Sequence, residues 1–168
     1  MKKNWVYFVL FFIGPIIIVF WMMGAFHNAT IEIAQRGPYH YAYLEHVGRY
    51  DKLIDKQNRV YQILKEQNIA ARAPISVLQS DPETTPKKDL HSQAGYLLDP
   101  GARAREPLLM ADIPSRRVLV VSVKASPVLA PSIAYKALME YLKSHQMKLV
   151  LPTVEIYQNK GLTVEMDM

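Results

Sequence analysis

The sequence predicts an α+β protein in which one antiparallel sheet carries two helices on one face, behind an N-terminal transmembrane helix. Two observations lead to this prediction. No charged residue occurs from Trp5 to Phe26, and the remainder of the chain gives one order of strands and helix twice. The predicted organisation is therefore a transmembrane anchor over residues 1–27 and a single domain over residues 28–168.

The N-terminal segment differs from the rest of the chain in composition. All five Phe and both Trp precede His27, whereas every Asp and Glu follows it. The uncharged run would extend for roughly 33 Å as a helix, which is enough to cross a hydrocarbon core of about 30 Å. The run is longer than the apolar region of a signal peptide and is followed by a poor cleavage sequence. A retained anchor over residues 5–26 is therefore favoured over a cleaved signal.

The charges that flank this span predict its orientation. Lys2 and Lys3 precede it, and no Lys or Arg follows until Arg36. Positively charged flanks tend to stay on the cytoplasmic side, so we expect a cytoplasmic N-terminus and an exported domain. In a bacterium, the protein would be a single-pass inner-membrane protein with a periplasmic domain.

The first half of the domain, residues 28–99, gives the order strand, strand, helix, strand, strand. The helix is expected to begin near Asp51, a suitable N-cap residue. A turn-rich run, Asp81–Pro86, separates the last two strands. The predicted strands are Ile31–Gln35, His40–Val47, Ile75–Gln79 and Ser92–Leu98.

The second half, residues 107–168, repeats this order after a connector rich in Gly, Pro and Arg. Its helix is expected to begin near Pro131, because proline suits the first helical position. A shift of about 78 residues superimposes Leu64 on Leu142 and Val77 on Glu155. The predicted strands are Leu108–Ile113, Arg117–Lys124, Val154–Gln158 and Leu162–Met168.

Alternation along the strands assigns side chains to the two faces of the sheet. Val154 and Ile156 are expected beneath the helices, which would leave Glu155 and Tyr157 on the uncovered face. The same alternation places Tyr41, Tyr43 and Glu45 of the second strand on that face. Tyr rings attract cations by roughly 0.5–2 kcal/mol each, and a partly desolvated carboxylate supplies a counter-charge. The alternative is an ordinary solvated face of a one-sided sheet.

Two motifs flank the first helix. Residues 41–50 read YAYLEHVGRY, and residues 80–86 read SDPETTP, followed by Leu90 and Gly95-Tyr96. Together they resemble the GyrI-like small-molecule-binding domain, which also forms the ligand-sensing part of multidrug-responsive regulators (the BmrR/Rob superfamily). The resemblance covers nearly all of residues 28–168 and is looser in the second half. It implies a duplicated fold whose halves surround a pocket for amphipathic, often cationic, molecules.

The resemblance also implies the site residues. A central Glu of the family pocket corresponds to Glu155, with Tyr157 beside it. Some family members hydrolyse reactive compounds with a pocket Trp, but both Trp of this chain lie in the predicted span. A membrane span stands where the regulators carry DNA-binding helices, so no nucleic-acid partner is expected. The remaining candidate ligand-binding residues are Tyr41, Tyr43, Glu45 and Tyr96.

Motifs of catalysis and cofactor binding are missing from the sequence. It contains no Cys, no Gly-x-Ser-x-Gly, no phosphate-binding Gly-rich loop and no His-Glu-x-x-His, so we expect neither a metal nor a cofactor. The favoured function is a membrane-tethered, non-enzymatic binding domain for an amphipathic small molecule, including cationic ones. Two alternatives stay open: a protein-interaction module of an envelope complex that uses the same concave face, and a hydrolase of electrophilic toxins with Glu155 as base.

Overall fold

The computed structural model describes residues 11–13, 15–19, 29–158 and 161–168. Its main element is an eight-stranded sheet in which every neighbouring pair is antiparallel. Two helices, α1 (Leu53–Glu66) and α2 (Ala130–Ser144), pack on it. The strands are β1 (Thr30–Arg36), β2 (Tyr39–Val47), β3 (Pro74–Leu78), β4 (His91–Leu97), β5 (Leu109–Ile113), β6 (Arg116–Val123), β7 (Thr153–Gln158) and β8 (Gly161–Asp167).

The predicted α+β fold with a large antiparallel sheet is confirmed, and each strand end lies within one residue of its expected position. Pro131 occupies the first turn of α2, as expected. The N-cap prediction for Asp51 is wrong. Asp51 lies within a short 3₁₀ helix, Tyr50–Lys52, and its carboxylate accepts a hydrogen bond of 2.9 Å from Arg49.

The strand order β1-β6-β8-β7-β3-β4-β2-β5 has an internal symmetry. If β1–β4 are exchanged for β5–β8, the order is the same read from the other edge. β3 and β7 pair at the centre, whereas the first strand of each half pairs with the second strand of the other half. The two halves therefore exchange strands, and their sheets merge into one.

The helices cover only part of one face of the sheet. Helix α1 packs over β2 and β4, and α2 packs over β6 and β8. The central strands β3 and β7 thus lie beneath the gap between the helices. Buried Ala134, Leu138 and Leu142 of α2 contact Leu119 and Val164 of the sheet, which forms the larger apolar core.

The opposite face, which we call the inner face, is also filled. An apolar cluster occupies its centre, and its buried members are Tyr41, Ile75, Val77, Val154 and Ile156. The sheet curls around this cluster, because the Tyr39 hydroxyl on β2 donates a hydrogen bond of 2.6 Å to Glu165 on β8 although three strands lie between them. The inner face is therefore a second core, whose centre is filled by apolar side chains.

The predicted orientation of β7 is wrong. Glu155 is the cross-strand partner of Val164, and Tyr157 is the partner of Leu162, both of which pack towards α2. Cross-strand partners share a face, so Glu155 and Tyr157 point to the helix side. The superposition of Val77 on Glu155 is likewise out of phase with the pleat, because Ser76 is the partner of Glu155. A one-residue slip exchanges the two faces of a strand.

A physical reason accounts for this orientation. Because β7 runs beneath the gap between the helices, its helix-side residues need not be apolar. Val154 and Ile156 instead join the apolar cluster of the inner face. The usual rule that apolar residues face the helices therefore holds for β8, where Val164 and Met166 pack towards α2, but not for the central strand.

Most of the predicted membrane span, residues 5–26, lies outside the described residues. Residues 11–13 and 15–19 are helical, and their side chains are exposed. Among the residues that the structure describes, no helix is both long enough and apolar enough to cross a membrane. The anchor over residues 1–27 stays a prediction.

Candidate functional site

A cavity of about 570 Å³ opens between the two helices, above the central strands. Helix α1 contributes Leu53, Ile54 and Gln57 to one wall, and α2 contributes Tyr135 and Met139 to the other. The floor is made of residues from β3 and β7, and most of them are polar. The floor residues are Ser76, Leu78, Thr153, Glu155 and Tyr157.

Glu155 lies at the centre of this floor and is 5% exposed. The Tyr157 hydroxyl donates a hydrogen bond of 3.4 Å to its Oε2 atom, and the nearby Tyr135 hydroxyl also favours the ionised carboxylate. Among the described residues, no ion pair includes Glu155. Burial raises the pKa of Glu155 to about 7, against the opposing effect of the two hydroxyls. The carboxyl group therefore changes its ionisation near neutral pH rather than in the acidic range usual for glutamate.

Three tyrosines surround this carboxyl group. Tyr50 and Tyr135 line the cavity with Tyr157, and the hydroxyls of Tyr135 and Thr153 are hydrogen-bonded at 2.8 Å. Burial raises the pKa of Tyr135 and of Tyr157, and the nearby Glu155 raises both further. These phenols therefore stay protonated, so that they serve as hydrogen-bond donors and present their aromatic faces to the cavity.

The wall formed by α1 has a polar group at the corresponding position. The shift of 78 residues that relates the helices carries Gln57 onto Tyr135. The Gln57 amide donates hydrogen bonds of 3.0 Å to Ser76 Oγ and 3.3 Å to the Ile75 carbonyl oxygen. The first half thus has a neutral Gln–Ser pair where the second half has Tyr135 and Glu155. Only one of the two related positions carries a charge.

The two sequence motifs meet at one end of the cavity. Gly48 has φ of +123°, a conformation that favours glycine, and its amide donates to the Leu90 carbonyl at 2.8 Å. This turn directs Tyr50 towards the second motif, where its hydroxyl donates to the Ser80 carbonyl at 2.7 Å. The contacts between the two motifs therefore form the rim of the cavity beside α1.

The structure separates the residues that sequence reasoning had grouped together. Glu155 and Tyr157 share the cavity. Tyr41 and Tyr43 belong to the cluster of the inner face, with their ring centroids 5.4 Å apart, and Glu45 points to the same face. Tyr96 lies on the helix side but packs beside Tyr61, with centroids 5.6 Å apart. Among the described residues that line the cavity, none of these four occurs.

Sequence reasoning missed Tyr135 and Gln57 as site residues. Both are polar, and both lie on otherwise apolar helix faces at related positions of the two halves. That coincidence is a usable signal, because a buried polar group requires a hydrogen-bond partner. Tyr50 was part of the quoted motif, but only the fold brings it next to Ser80.

A more open groove of about 790 Å³ lies at one end of the sheet. It includes His40, whose Nδ1 lies 2.5 Å from Asp112 and whose Nε2 lies 2.8 Å from the Ala102 carbonyl oxygen. Both ring nitrogens therefore have partners within the protein. Within the described part of the chain, no group of His, Asp or Glu side chains has an arrangement that could hold a metal ion. The cavity between the helices is the better candidate site.

A second buried glutamate, Glu165, lies on the inner face and is 1% exposed. It accepts hydrogen bonds from Tyr39 at 2.6 Å and from Arg116 at 3.1 Å. Burial raises its pKa, while Tyr39 and Arg116 oppose that change. Arg116 also pairs with Asp167 at 2.5 Å. This glutamate is therefore neutralised within the fold.

Comparison with known proteins gives a family and a set of similar folds. The family model described as the GyrI-like small molecule binding domain matches residues 29–166. No curated protein matches the chain.

Several solved structures have the same fold at low sequence identity. The crystal structure of the EcmrR C-terminal domain has a TM-score of 0.62 at 15% identity, covering 84% of this chain and 96% of that one. SAV2435 bound to tetraphenylphosphonium has a TM-score of 0.59 at 11% identity, covering 82% and 93%. EcmrR in its DNA complex has a TM-score of 0.66 at 10% identity, covering 83% of this chain but only 57% of that protein. These similarities concern the fold alone.

Proposed function

Because the chain belongs to the GyrI-like small molecule binding domain family, we propose that it is a non-enzymatic binding domain for an amphipathic, cationic small molecule. The observation that carries this proposal is the environment of Glu155. Its carboxyl group is buried at the floor of an open cavity, and no cation of the described chain pairs with it. A bound cation would supply the missing counter-charge.

The walls of the cavity suit the rest of such a ligand. The rings of Tyr50, Tyr135 and Tyr157 supply faces for cation–π contacts, and apolar side chains from both helices supply contacts for a hydrophobic body. A volume of about 570 Å³ lies within the usual range for small-molecule sites. Micromolar affinity needs only about −8 kcal/mol, which a few such contacts provide. The similarly folded SAV2435 was solved with tetraphenylphosphonium, an organic cation.

The proposal is tested by titrating tetraphenylphosphonium into the protein and into two variants. In Glu155→Gln the side chain keeps its shape and loses its charge, so we expect binding to weaken by at least tenfold. Glu45→Gln is the matched control, because Glu45 is exposed on the inner face. Equal binding by the wild type and Glu155→Gln, or equal weakening in both variants, would contradict the assignment.

The proposed function also includes attachment to a membrane through residues 5–26, with a cytoplasmic N-terminus and an exported domain. The uncharged run of the sequence supports it. Such a tether would enter the domain near the cavity, because Thr30 pairs with Ser122 near the end of β6, and the chain after β6 leads to Pro127 and Val128 on the cavity rim. A tether at this end would hold the cavity close to ligands dissolved in the bilayer.

Membrane attachment is tested by fractionating cells that express the full chain. We expect the protein in the membrane pellet after alkaline carbonate extraction, and accessible to protease in spheroplasts but not in intact cells. Release of the protein by carbonate would contradict attachment. Protease resistance in spheroplasts would contradict the proposed orientation.

A hydrolase is the second candidate, and one observation favours it. A carboxyl group with a pKa of about 7 is suited to act as a general base at neutral pH. This candidate requires turnover of an electrophilic compound that is lost in Glu155→Gln, whereas binding without turnover would support the non-enzymatic proposal. The protein-interaction alternative has less support, because the concave face that it needs is filled by the cluster around Tyr41.

A further inference from the structure

The two lips of the cavity differ in charge although they come from related halves of the fold. The lip beside α1, which we call the acidic lip, includes the carboxylates Asp51, Asp81 and Glu83. The lip beside α2, the apolar lip, has no charged residue among the described residues that line the cavity. Its members are Pro127, Val128, Pro131, Met139, Leu149 and Leu151.

Two carboxylates of the acidic lip have no cationic partner among the residues that the structure describes. Asp51 is paired with Arg49 at 2.9 Å. Asp81 Oδ1 accepts a hydrogen bond of 2.8 Å from the Glu83 amide. This bond fixes the loop, but the amide is neutral and does not balance the negative charge of Asp81. The ion pairs found among the described residues include neither Asp81 nor Glu83, and neither of the two lysines in the same connection, Lys87 and Lys88.

The acidic lip continues to the buried carboxyl group at the floor. Tyr50 lines the cavity between them, and its hydroxyl donates to the carbonyl of Ser80, the residue before Asp81. Burial raises the pKa of Tyr50, the hydrogen bond to Ser80 opposes this change, and the nearby carboxyl groups of Glu155 and Asp81 raise the pKa further. The cavity thus has negative charge at its buried floor and again at its mouth, whereas the apolar lip runs along the other side.

Exposed carboxylates alone would not indicate a ligand, because water solvates them well. Glu155 is different, since it is 5% exposed, points into the same cavity and has no cation of the described chain beside it. A ligand with one positive group satisfies Glu155 and leaves Asp81 and Glu83 facing solvent. A ligand with a second positive group would use both ends of the cavity.

Resting on the proposed function, we propose that the preferred ligand is an elongated dication, with two positive groups joined by an apolar body. One group lies against Glu155, the other lies between Asp81 and Glu83, and the body contacts the apolar lip. Val128, which is 74% exposed, then becomes covered by the ligand.

The test compares two probes with the same alkyl body, decyltrimethylammonium and 1,10-bis(trimethylammonium)decane. We expect the wild type to bind the dication roughly threefold to tenfold more tightly, which is the range that two partly exposed charge contacts provide. Asp81→Asn with Glu83→Gln should abolish this preference, because it weakens binding of the dication more than binding of the monocation. Asn keeps the acceptor that caps the loop, and Glu83→Gln alone should give part of the effect.

Asp55→Asn is the matched control, because Asp55 is an exposed carboxylate on α1 outside the lining of the cavity. This control should retain the full preference. Equal affinity of the wild type for the two probes, or a preference that persists in the double variant, would overturn the dication proposal while binding of the monocation upheld the cavity itself. Failure of the wild type to bind either probe would overturn both proposals.

Discussion

Glu155 and Glu165 are both buried glutamates on neighbouring strands, yet they face opposite sides of the sheet. Glu165 is neutralised from within, by Arg116 and the Tyr39 hydroxyl, and it helps to hold the curled sheet closed. In the described part of the chain, Glu155 has only tyrosine hydroxyls beside it, and an open cavity lies above it. Burial of a carboxylate is therefore a poor marker of a binding site by itself. A missing counter-charge beside a cavity is the more informative feature.

The largest expected effect concerns the internally paired glutamate. Arg116→Ala leaves Glu165 buried without its cation, and removing one partner of a buried pair costs about 3–5 kcal/mol. We expect the free energy of unfolding, measured with urea, to fall by about 3 kcal/mol. Arg49→Ala, which removes a solvent-exposed pair, should leave the free energy of unfolding nearly unchanged. Similar losses in both variants would show that the buried Arg116–Glu165 pair contributes no more to stability than an exposed pair does.

The unpaired glutamate should instead make stability depend on pH. The pKa of Glu155 in the folded protein is raised to about 7, above its value of about 4.5 in the unfolded chain. Stability is then greatest below pH 4.5 and falls as pH rises to 7, by up to about 3 kcal/mol from this group. We expect the difference in unfolding free energy between the wild type and Glu155→Gln to follow this course. A difference that stays constant from pH 4.5 to 8 would contradict it.

Ligand binding should show the opposite pH dependence. A carboxyl group with a pKa near 7 is about one-tenth ionised at pH 6 and about nine-tenths ionised at pH 8. Affinity for tetraphenylphosphonium, whose charge does not titrate, should therefore rise by roughly tenfold over this range. In Glu155→Gln the same titrations should give a flat profile. If the wild-type affinity is equally independent of pH, the charge of Glu155 does not contribute to binding.

The smallest expected effect tests the tyrosine beside the carboxyl group. Tyr157→Phe removes the hydroxyl that donates to Glu155 and keeps the aromatic face. We expect affinity for tetraphenylphosphonium to change by less than about threefold, and the pH midpoint of binding to move upward because the ionised form loses a donor. Tyr43→Phe, on the inner face, should leave the midpoint unchanged.

Most of the fold could be predicted from the sequence, because periodicity and turn residues define elements that local sequence controls. Every strand from β1 to β8 was expected within one residue of its ends. The exchange of β1 and β5 between the halves could not be predicted, since pairing between distant strands leaves no periodic signal in the chain.

The candidate site was predicted only in part. The resemblance selected Glu155 and Tyr157, whereas alternation assigned them to the wrong face. Alternation separates polar from apolar sides, but a polar side can face either water or the gap between two helices. Tyr41, which alternation grouped with Glu155, is 4% exposed in the core of the inner face. Its hydroxyl donates a hydrogen bond of 2.7 Å to Gln93, and no local sequence pattern predicts this contact.

The exchange of strands also has a consequence for how the chain folds. Thr30 at the start of β1 pairs with Ser122, which lies 92 positions further along the chain. Contacts between such distant positions slow folding, because a long loop must close before any of them forms. Neither half can complete its share of the sheet while the other is unfolded. We therefore expect a single cooperative folding step, and fragments cut in the connector between the halves should fold only when they are mixed.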